Sequence, residues 1–214
     1  KSIILNLGGG VVTDLGGFVA CTFKRGIDFV NIPTTLLGMV DAAIGGKNGV
    51  DLGTIKNQVG IIREPKMVVI DVEFLATLPS NQMRSGLAEM LKHGLIYDIN
   101  YWNKFKNLQN LDHDDLEHLI YESIQIKNSI VCEDLTETGI RKALNFGHTI
   151  GHAIESYHLE NEEKSPLLHG EAIAIGMVIE SFISKEMGLL NHEVYQEIKY
   201  IITEFFNQIL FTDD

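Results

Sequence analysis

Apolar residues in the first third of the chain gather in three short runs, 3–7, 29–32 and 67–71, each bounded by glycine, proline or charged residues. Mainly apolar runs of this length between turn residues predict strands buried on both faces, as in a parallel sheet. Helical or glycine-rich stretches separate them, and strands alternating with helices define an α/β layer, here a small one. From Ser80 the period changes. Ser80 follows Pro79 and is placed to cap a helix start. Within 112–137, Leu116, Ile120, Ile124 and Val131 recur at helical spacing. Further helices are predicted over 140–157, over the very apolar 168–187 closed by Gly188, and over 192–208. The acidic stretch 159–164 reads as a surface loop. The expected fold class is an α/β N-terminal part, residues 1–79, followed by an all-α domain, residues 80–214.

The 214 residues are 45% hydrophobic and 21% charged, the balance of an ordinary globular chain. A formal net charge of -12 with no Lys/Arg cluster argues against a nucleic-acid partner. It also makes any inward-facing cation informative, because an anionic ligand would need a local basic pocket. Cys21 and Cys132 lie far apart without a CxxC partner, which argues against a disulfide framework and a thiolate metal site. No signal peptide is visible, and no apolar run approaches the ~20 residues of a membrane span. The expectation is a cytoplasmic, soluble protein with no membrane partner. Lys1 runs directly into a strand pattern and the chain stops soon after a helical one, so both ends read as cut points.

Gly8, Gly9 and Gly10 follow the first strand and open a helix. Glycines let backbone amides approach a phosphate, and a helix N-terminus attracts one. Thr13 stands where the third glycine of GxGxxG would fall, so a dinucleotide site and a tight packing turn both remain open. Thr34 and Thr35 end the second strand, where they could meet a nucleotide or cap the next helix. Lys47, Asn48, Lys56 and Asn57 fall in a short, otherwise apolar stretch, a set suited to a polyhydroxy or carboxylate ligand.

Residues 140–157, read as one helix, carry Arg141, Asn145, His148, His152 and Glu155 at spacings of 4, 3, 4 and 3, a single polar stripe. Beside it run Gly147 and Gly151, which are costly inside a helix and suggest close backbone packing. His148 and His152 share a face as metal ligands would, but the glutamate of HExxH is missing. Glu89, Lys92 and His93 in one segment, and His169 and Glu171 in another, place charged groups at apolar helix positions. A His/His/Glu set with an open position suits catalytic zinc. Lys127 falls on the apolar stripe between Ile124 and Val131, where it either snorkels or turns inward to an anion.

Six motifs together resemble the 3-dehydroquinate synthase family over nearly the whole chain. They are Gly8-Gly-Gly-Val-Val-Thr-Asp14-Leu15, Ile32-Pro-Thr-Thr-Leu-Leu37, Asp41-Ala-Ala-Ile-Gly-Gly-Lys47, Gly86-Leu-Ala-Glu-Met-Leu-Lys92, Leu144-Asn-Phe-Gly-His-Thr-Ile-Gly-His-Ala-Ile-Glu155 and His169-Gly-Glu-Ala-Ile-Ala-Ile-Gly-Met177. The resemblance implies a nucleotide-binding α/β part and a helical metal- and substrate-binding part, with the site between them. Family members are longer, so the chain would lack upstream strands and a downstream helical piece. Carried over by motif, the metal ligands are Glu89, His148 and His169, and His152 is a substrate and proton-relay residue beside the metal. The catalytic set adds Lys47, Lys92, Asn57, Arg141 and Asn145. Asp41, Lys56 and Lys127 bind substrate, and Arg25 reaches a substrate phosphate from the neighbouring subunit of a homodimer. Gly9, Gly10, Asp14, Thr34, Thr35, Thr77 and Leu78 contact NAD.

The implied cofactors are NAD and a divalent metal, zinc first and cobalt second. The implied reaction takes a small sugar phosphate, 3-deoxy-D-arabino-heptulosonate 7-phosphate, to 3-dehydroquinate and phosphate in the shikimate pathway. NAD is returned unchanged, which makes the enzyme a lyase. The rival readings are another sugar-phosphate cyclase, a metal- and NAD-dependent polyol dehydrogenase, and a non-catalytic binding module.

Overall fold

The computed structural model describes residues 2–53, 55–106, 113–161 and 167–206. The chain begins with β1 (Ile3–Gly8), α1 (Gly10–Thr22) and β2 (Asp28–Pro33), then β3 (Lys47–Leu52), β4 (Ile55–Ile62) and β5 (Met67–Val68). β1, β2 and β5 form a parallel sheet in that order, with Leu5 opposite Val30 and Val30 opposite Met67. Inside it, Asn6 Nδ2 donates to Asn31 Oδ1 at 2.8 Å, so the polar pair within the apolar strands satisfies itself. The third strand is shorter than the predicted 67–71, because Asp71 accepts from the Glu73 amide and starts the helical turn Val72–Thr77. β3 and β4 form an antiparallel hairpin apart from the sheet, with Gly49 opposite Gly60. The sequence reading placed no strands there, since Lys47, Asn48, Asn57 and Gln58 break any apolar alternation.

The helices are α2 (Ser80–Tyr97), α3 (Ile99–Phe105), α4 (His113–Glu133), α5 (His148–Glu160), α6 (His169–Glu186) and α7 (His192–Phe205). Ser80 is not the cap of α2. Pro79 holds that position without a side-chain hydrogen bond, its fixed φ of -57° leading into the helix. α3 was not foreseen; Asp98 caps it, accepting from the amides of Asn100 at 2.8 Å and Tyr101 at 3.4 Å. α4 is shorter than 112–137, and its predicted stripe packs inward, with Ile120 and Val131 buried. One apolar core joins Leu36, Met39, Val40 and Leu75 to Met90, Leu91, Trp102, Ile120, Ile173, Met177 and Ile198. Among the described residues no helix is long and apolar enough to cross a membrane.

Residues 140–157 are not one helix. A single turn, Ile140–Asn145, ends at extended Phe146, and Gly147 at φ 80° reverses the chain into α5. The reversal lets α5 and α6 meet backbone to backbone. A Cβ on Gly147 would lie 2.6 Å from Met177 Cγ, and one on Gly176 would lie 1.9 Å from the Gly147 carbonyl oxygen. Glu180 of α6 clamps this contact, accepting from the amides of Gly147 at 2.8 Å and Ile150 at 3.4 Å. The acidic stretch 159–164 is only partly a loop: 159 and 160 belong to α5, and 162–164 lie outside the described residues. Gly188, at φ 72°, follows α6 as expected.

Candidate active site

Glu89 and Lys92 sit one turn apart on α2, both fully buried. A buried carboxylate is costly unless paired, and Lys92 Nζ donates to Glu89 Oε2. The other oxygen, Oε1, has no hydrogen-bond partner among the described residues. It faces His148 Nε2 at 3.7 Å and His169 Nε2 at 3.9 Å. These imidazoles begin α5 and α6, the helices that the glycine contact holds together. His148 Nδ1 donates to the Phe146 carbonyl at 3.3 Å, and since a carbonyl only accepts, the lone pair of His148 lies on Nε2. His152 follows one turn later, and the three imidazole centroids are 5.2, 5.4 and 5.5 Å apart. α2 is tied to the start of α6 by Ser85 Oγ, which accepts from the Gly170 amide at 2.9 Å.

Charge around the cluster is tightly arranged. Burial pushes Glu89 upward, but the Lys92 ammonium, joined by His148 and His169, holds the carboxyl below its ordinary range. Burial, then Lys92, bring His148 down to about 4, so it is neutral near pH 7. Burial would also lower His169, yet Glu155, then Glu89, outweigh it and raise this imidazole. Lys127 turns inward rather than snorkelling: its Nζ donates to both the carboxylate and the backbone carbonyl of Asp41. Burial opposes ionisation of Asp41, and Lys127, then Lys92, overcome it and hold the carboxyl low. His93, fully buried, meets Ser123 Oγ at 2.8 Å and is pushed down to about 3 by burial and then by Lys92.

A cleft of about 640 Å³ opens over this cluster. Asp14 and Asp41 line it, as do Lys47, Asn48, Asn57 and Gln58 of the hairpin, and Lys92, Lys127, Arg141, Asn145, His148, His152 and His169. Arg141 is buried and donates to the carbonyls of Leu135 and Gly45, each at 2.9 Å. Asp14 is pushed up to about 7 by burial and then by Asp41. Arg141 and Asn145 thus reach the cleft from a separate turn, not from a stripe shared with His148. Gly9, Gly10, Thr34, Thr35, Thr77, Leu78 and Arg25 are not among the described lining residues. Thr35 Oγ1 accepts from the Gly38 amide at 3.1 Å, the capping option left open by the sequence. Arg25 is exposed in the turn Phe23–Arg25 with φ 64°, and the Lys56 side chain lies outside the described residues.

Several participants escaped the sequence reading. Glu137, at φ 60°, pairs with Lys47 and accepts from Asn145 Nδ2 at 2.7 Å, so it occupies two side chains expected to meet substrate. Glu180 offered one signal, an acid in the middle of a very apolar helix. Glu137 offered none.

The residues present fit a divalent cation. Donor atoms of Glu89, His148 and His169 lie within 4.8 Å of one another, and Glu89 Oε1 is an orphaned buried acceptor. Ligand bonds of ~2.0–2.2 Å need only a small further closure of the three groups. They also fit the phosphates of a dinucleotide at α1. Its cap, Gly9, makes no side-chain hydrogen bond, and its first turn carries no acid. A Cβ on Gly9 would press on Thr35 Cγ2 at 3.1 Å.

Fold and cleft together place the molecule among sugar-phosphate cyclase structures. The 2-epi-5-epi-valiolone synthase ValA from Streptomyces hygroscopicus subsp. jinggangensis, solved with NAD+ and Zn2+, superposes with a TM-score of 0.85 at 31% identity, over 99% of this chain and 59% of that one. A 2-deoxy-scyllo-inosose synthase, solved with carbaglucose-6-phosphate, NAD+ and Co2+, gives 0.83 at 29% identity, over 99% and 58%. The chain belongs to the 3-dehydroquinate synthase family: residues 1–85 match 3-dehydroquinate synthase N-terminal and residues 86–211 match 3-dehydroquinate synthase C-terminal. The 3-dehydroquinate synthase of Parabacteroides distasonis is 46% identical over 213 residues, which are 99% of this chain and 60% of that relative.

Proposed function

We propose that this chain carries the catalytic cleft of a 3-dehydroquinate synthase, releasing phosphate from 3-deoxy-D-arabino-heptulosonate 7-phosphate to form 3-dehydroquinate. The observation that carries the proposal is Glu89 Oε1, buried and orphaned, facing the nitrogens of two imidazoles that line a cleft ringed by Lys47, Lys92, Lys127 and Arg141. Four cations around one cleft, in a chain of net charge -12, suit an anionic sugar phosphate. The greater identity to a 3-dehydroquinate synthase, 46% against 31% and 29% for the two other cyclases, supports this substrate over theirs.

In this reading residues 1–79 are the nucleotide-binding part and 80–214 the metal- and substrate-binding part. Glu89, His148 and His169 hold zinc, which polarises a substrate hydroxyl oxygen when bound. Gly9, Gly10 and Asp14, with Thr34, Thr35, Thr77 and Leu78, hold NAD, which takes up a hydride and returns it when bound. Lys92 keeps Glu89 ionised toward the metal. Lys47 and Asn145 turn from Glu137 to the substrate, while Asp41, Asn57, Lys56, Lys127 and Arg141 bind its hydroxyls and carboxylate. His152, half-exposed at the rim, moves a proton between substrate and solvent. Arg25 serves the phosphate of a neighbouring subunit in a homodimer.

The test is incubation of the protein with NAD, zinc and the heptulosonate phosphate, following phosphate, NADH absorbance and product mass. Phosphate and dehydroquinate without accumulating NADH are expected. A different carbocycle from another sugar phosphate would assign the chain to a sister cyclase, and bulk NADH without phosphate would assign it to a dehydrogenase.

A further inference from the structure

We infer that Glu155 is a positioning residue that sets the orientation of two imidazoles at once, His169 toward the metal and His152 toward the cleft; the inference rests on the metal assignment above. Glu155 lies on the inner face of α5 and is 5% exposed. Its Oε2 is 3.3 Å from His152 Nδ1 and 3.6 Å from His169 Nδ1. Both rings therefore turn the same nitrogen to one oxygen. For His169 this leaves Nε2 facing Glu89 Oε1 at 3.9 Å, and for His152 it leaves Nε2 as the nitrogen available to the cleft.

The chemistry explains why the oxygen matters. A ligating imidazole must keep its lone pair on the metal-facing nitrogen, and a hydrogen bond from the opposite N–H enforces that tautomer. His148 obtains this from the Phe146 carbonyl at 3.3 Å. His169 has the counterpart in Glu155, where the acceptor is a full carboxylate rather than a backbone oxygen. A small turn of the ring closes 3.6 Å into a hydrogen bond, and the negative charge makes the imidazole a stronger ligand. The same oxygen is shared with His152, so a change at the metal-facing ring is felt by the cleft-facing one. The arrangement needs α5 and α6 in register, which Gly147, Gly176 and the Glu180 clamp provide.

The test compares the parent protein with E155A, E155Q and H169A. Zinc affinity is read by competition with a chromophoric chelator, the ligand field from the visible spectrum of the Co2+ form, and the His169 tautomer from side-chain 15N shifts of the metal-free protein. E155A is expected to bind zinc about 10–100-fold more weakly, to alter the cobalt spectrum and to leave His169 as a mixture of tautomers. E155Q keeps an acceptor but loses the charge, and is expected to fall between parent and E155A. Should E155A fail to fold, the same three readouts on E155Q decide. Parent-like zinc affinity, cobalt spectrum and tautomer in the folded Glu155 variants, with zinc lost in H169A, would overturn this inference alone. Zinc retained by H169A would overturn the metal assignment and the inference with it. A parent that binds two zinc ions, one of them lost in E155A, would make His152, Glu155 and His169 a metal site in their own right and overturn the positioning role.

Discussion

Glu89 divides its two oxygens between opposite tasks. Oε2 is neutralised by Lys92, and Oε1 is left bare beside His148 and His169. The division makes substitutions at the three residues informative in different ways. His169→Ala is expected to lose stoichiometric zinc on dialysis, measured by metal analysis, while His152→Ala keeps most of it. Glu89→Ala is expected to lose zinc and also to melt earlier, because it strands the Lys92 ammonium in a buried site at a cost of about 3–5 kcal/mol. Stoichiometric zinc in His169→Ala would exclude the ligand set. In the sequence Glu89 and His169 stand out as polar groups at apolar helix positions and His148 belongs to a polar stripe, while the choice of these three as ligands follows from the family resemblance. The sequence could not divide the two oxygens of one carboxylate, nor bring Glu137 to Lys47 and Asn145, since neither depends on spacing along the chain.

The two helices that present the imidazoles touch through glycine rather than through interdigitating side chains. A methyl group at Gly176 would meet the Gly147 carbonyl oxygen at 1.9 Å and the Gly151 amide nitrogen at 2.9 Å, and backbone atoms cannot rotate away. Gly176→Ala is therefore expected to cost about 3 kcal/mol, a fall of ~6–12 °C in Tm for a chain of this size, and to weaken zinc binding by separating His148 from His169. Gly188→Ala is the contrast: nothing lies within 4 Å of its Cβ, and only the φ of 72° is strained, so about 1 kcal/mol is expected, with zinc binding unchanged. Equal effects of the two in thermal melts and zinc titration would exclude the packing argument. The helical period runs on through Gly147 in sequence, which is why 140–157 read as one helix. The break appears only when α6 occupies the space beside that glycine. The hairpin and α3 escaped for another reason, as their residues are too polar or too few to show a period.

At the scale of the whole molecule, β1 lies at one edge of the parallel sheet, with Ile3, Leu5 and Leu7 exposed, and α1 exposes Val11, Leu15 and Val19. Among the described residues β1 pairs only with β2, and an edge strand beside exposed apolar side chains favours self-association of this chain. Leu5→Lys is expected to reduce concentration-dependent light scattering while changing stability by no more than about 0.5 kcal/mol; unchanged scattering would place the association elsewhere. Two things were determined by the sequence alone. Short apolar runs followed by helical periods define an α/β part and a helical part, because burial imposes its period directly on the chain. The motifs identify the family, because glycines, acids and imidazoles at those positions serve a chemistry that other residue types do not. Tertiary structure decided which of those groups meet. Asp41 with Lys127, Glu137 with Lys47, and Glu155 with His169 are contacts between side chains far apart in the sequence and on different elements. The apolar core joins Met39 and Val40, beside Asp41, to Ile120 and Ile130 of the Lys127 helix, and the glycines hold α5 against α6 for the Glu155 contact.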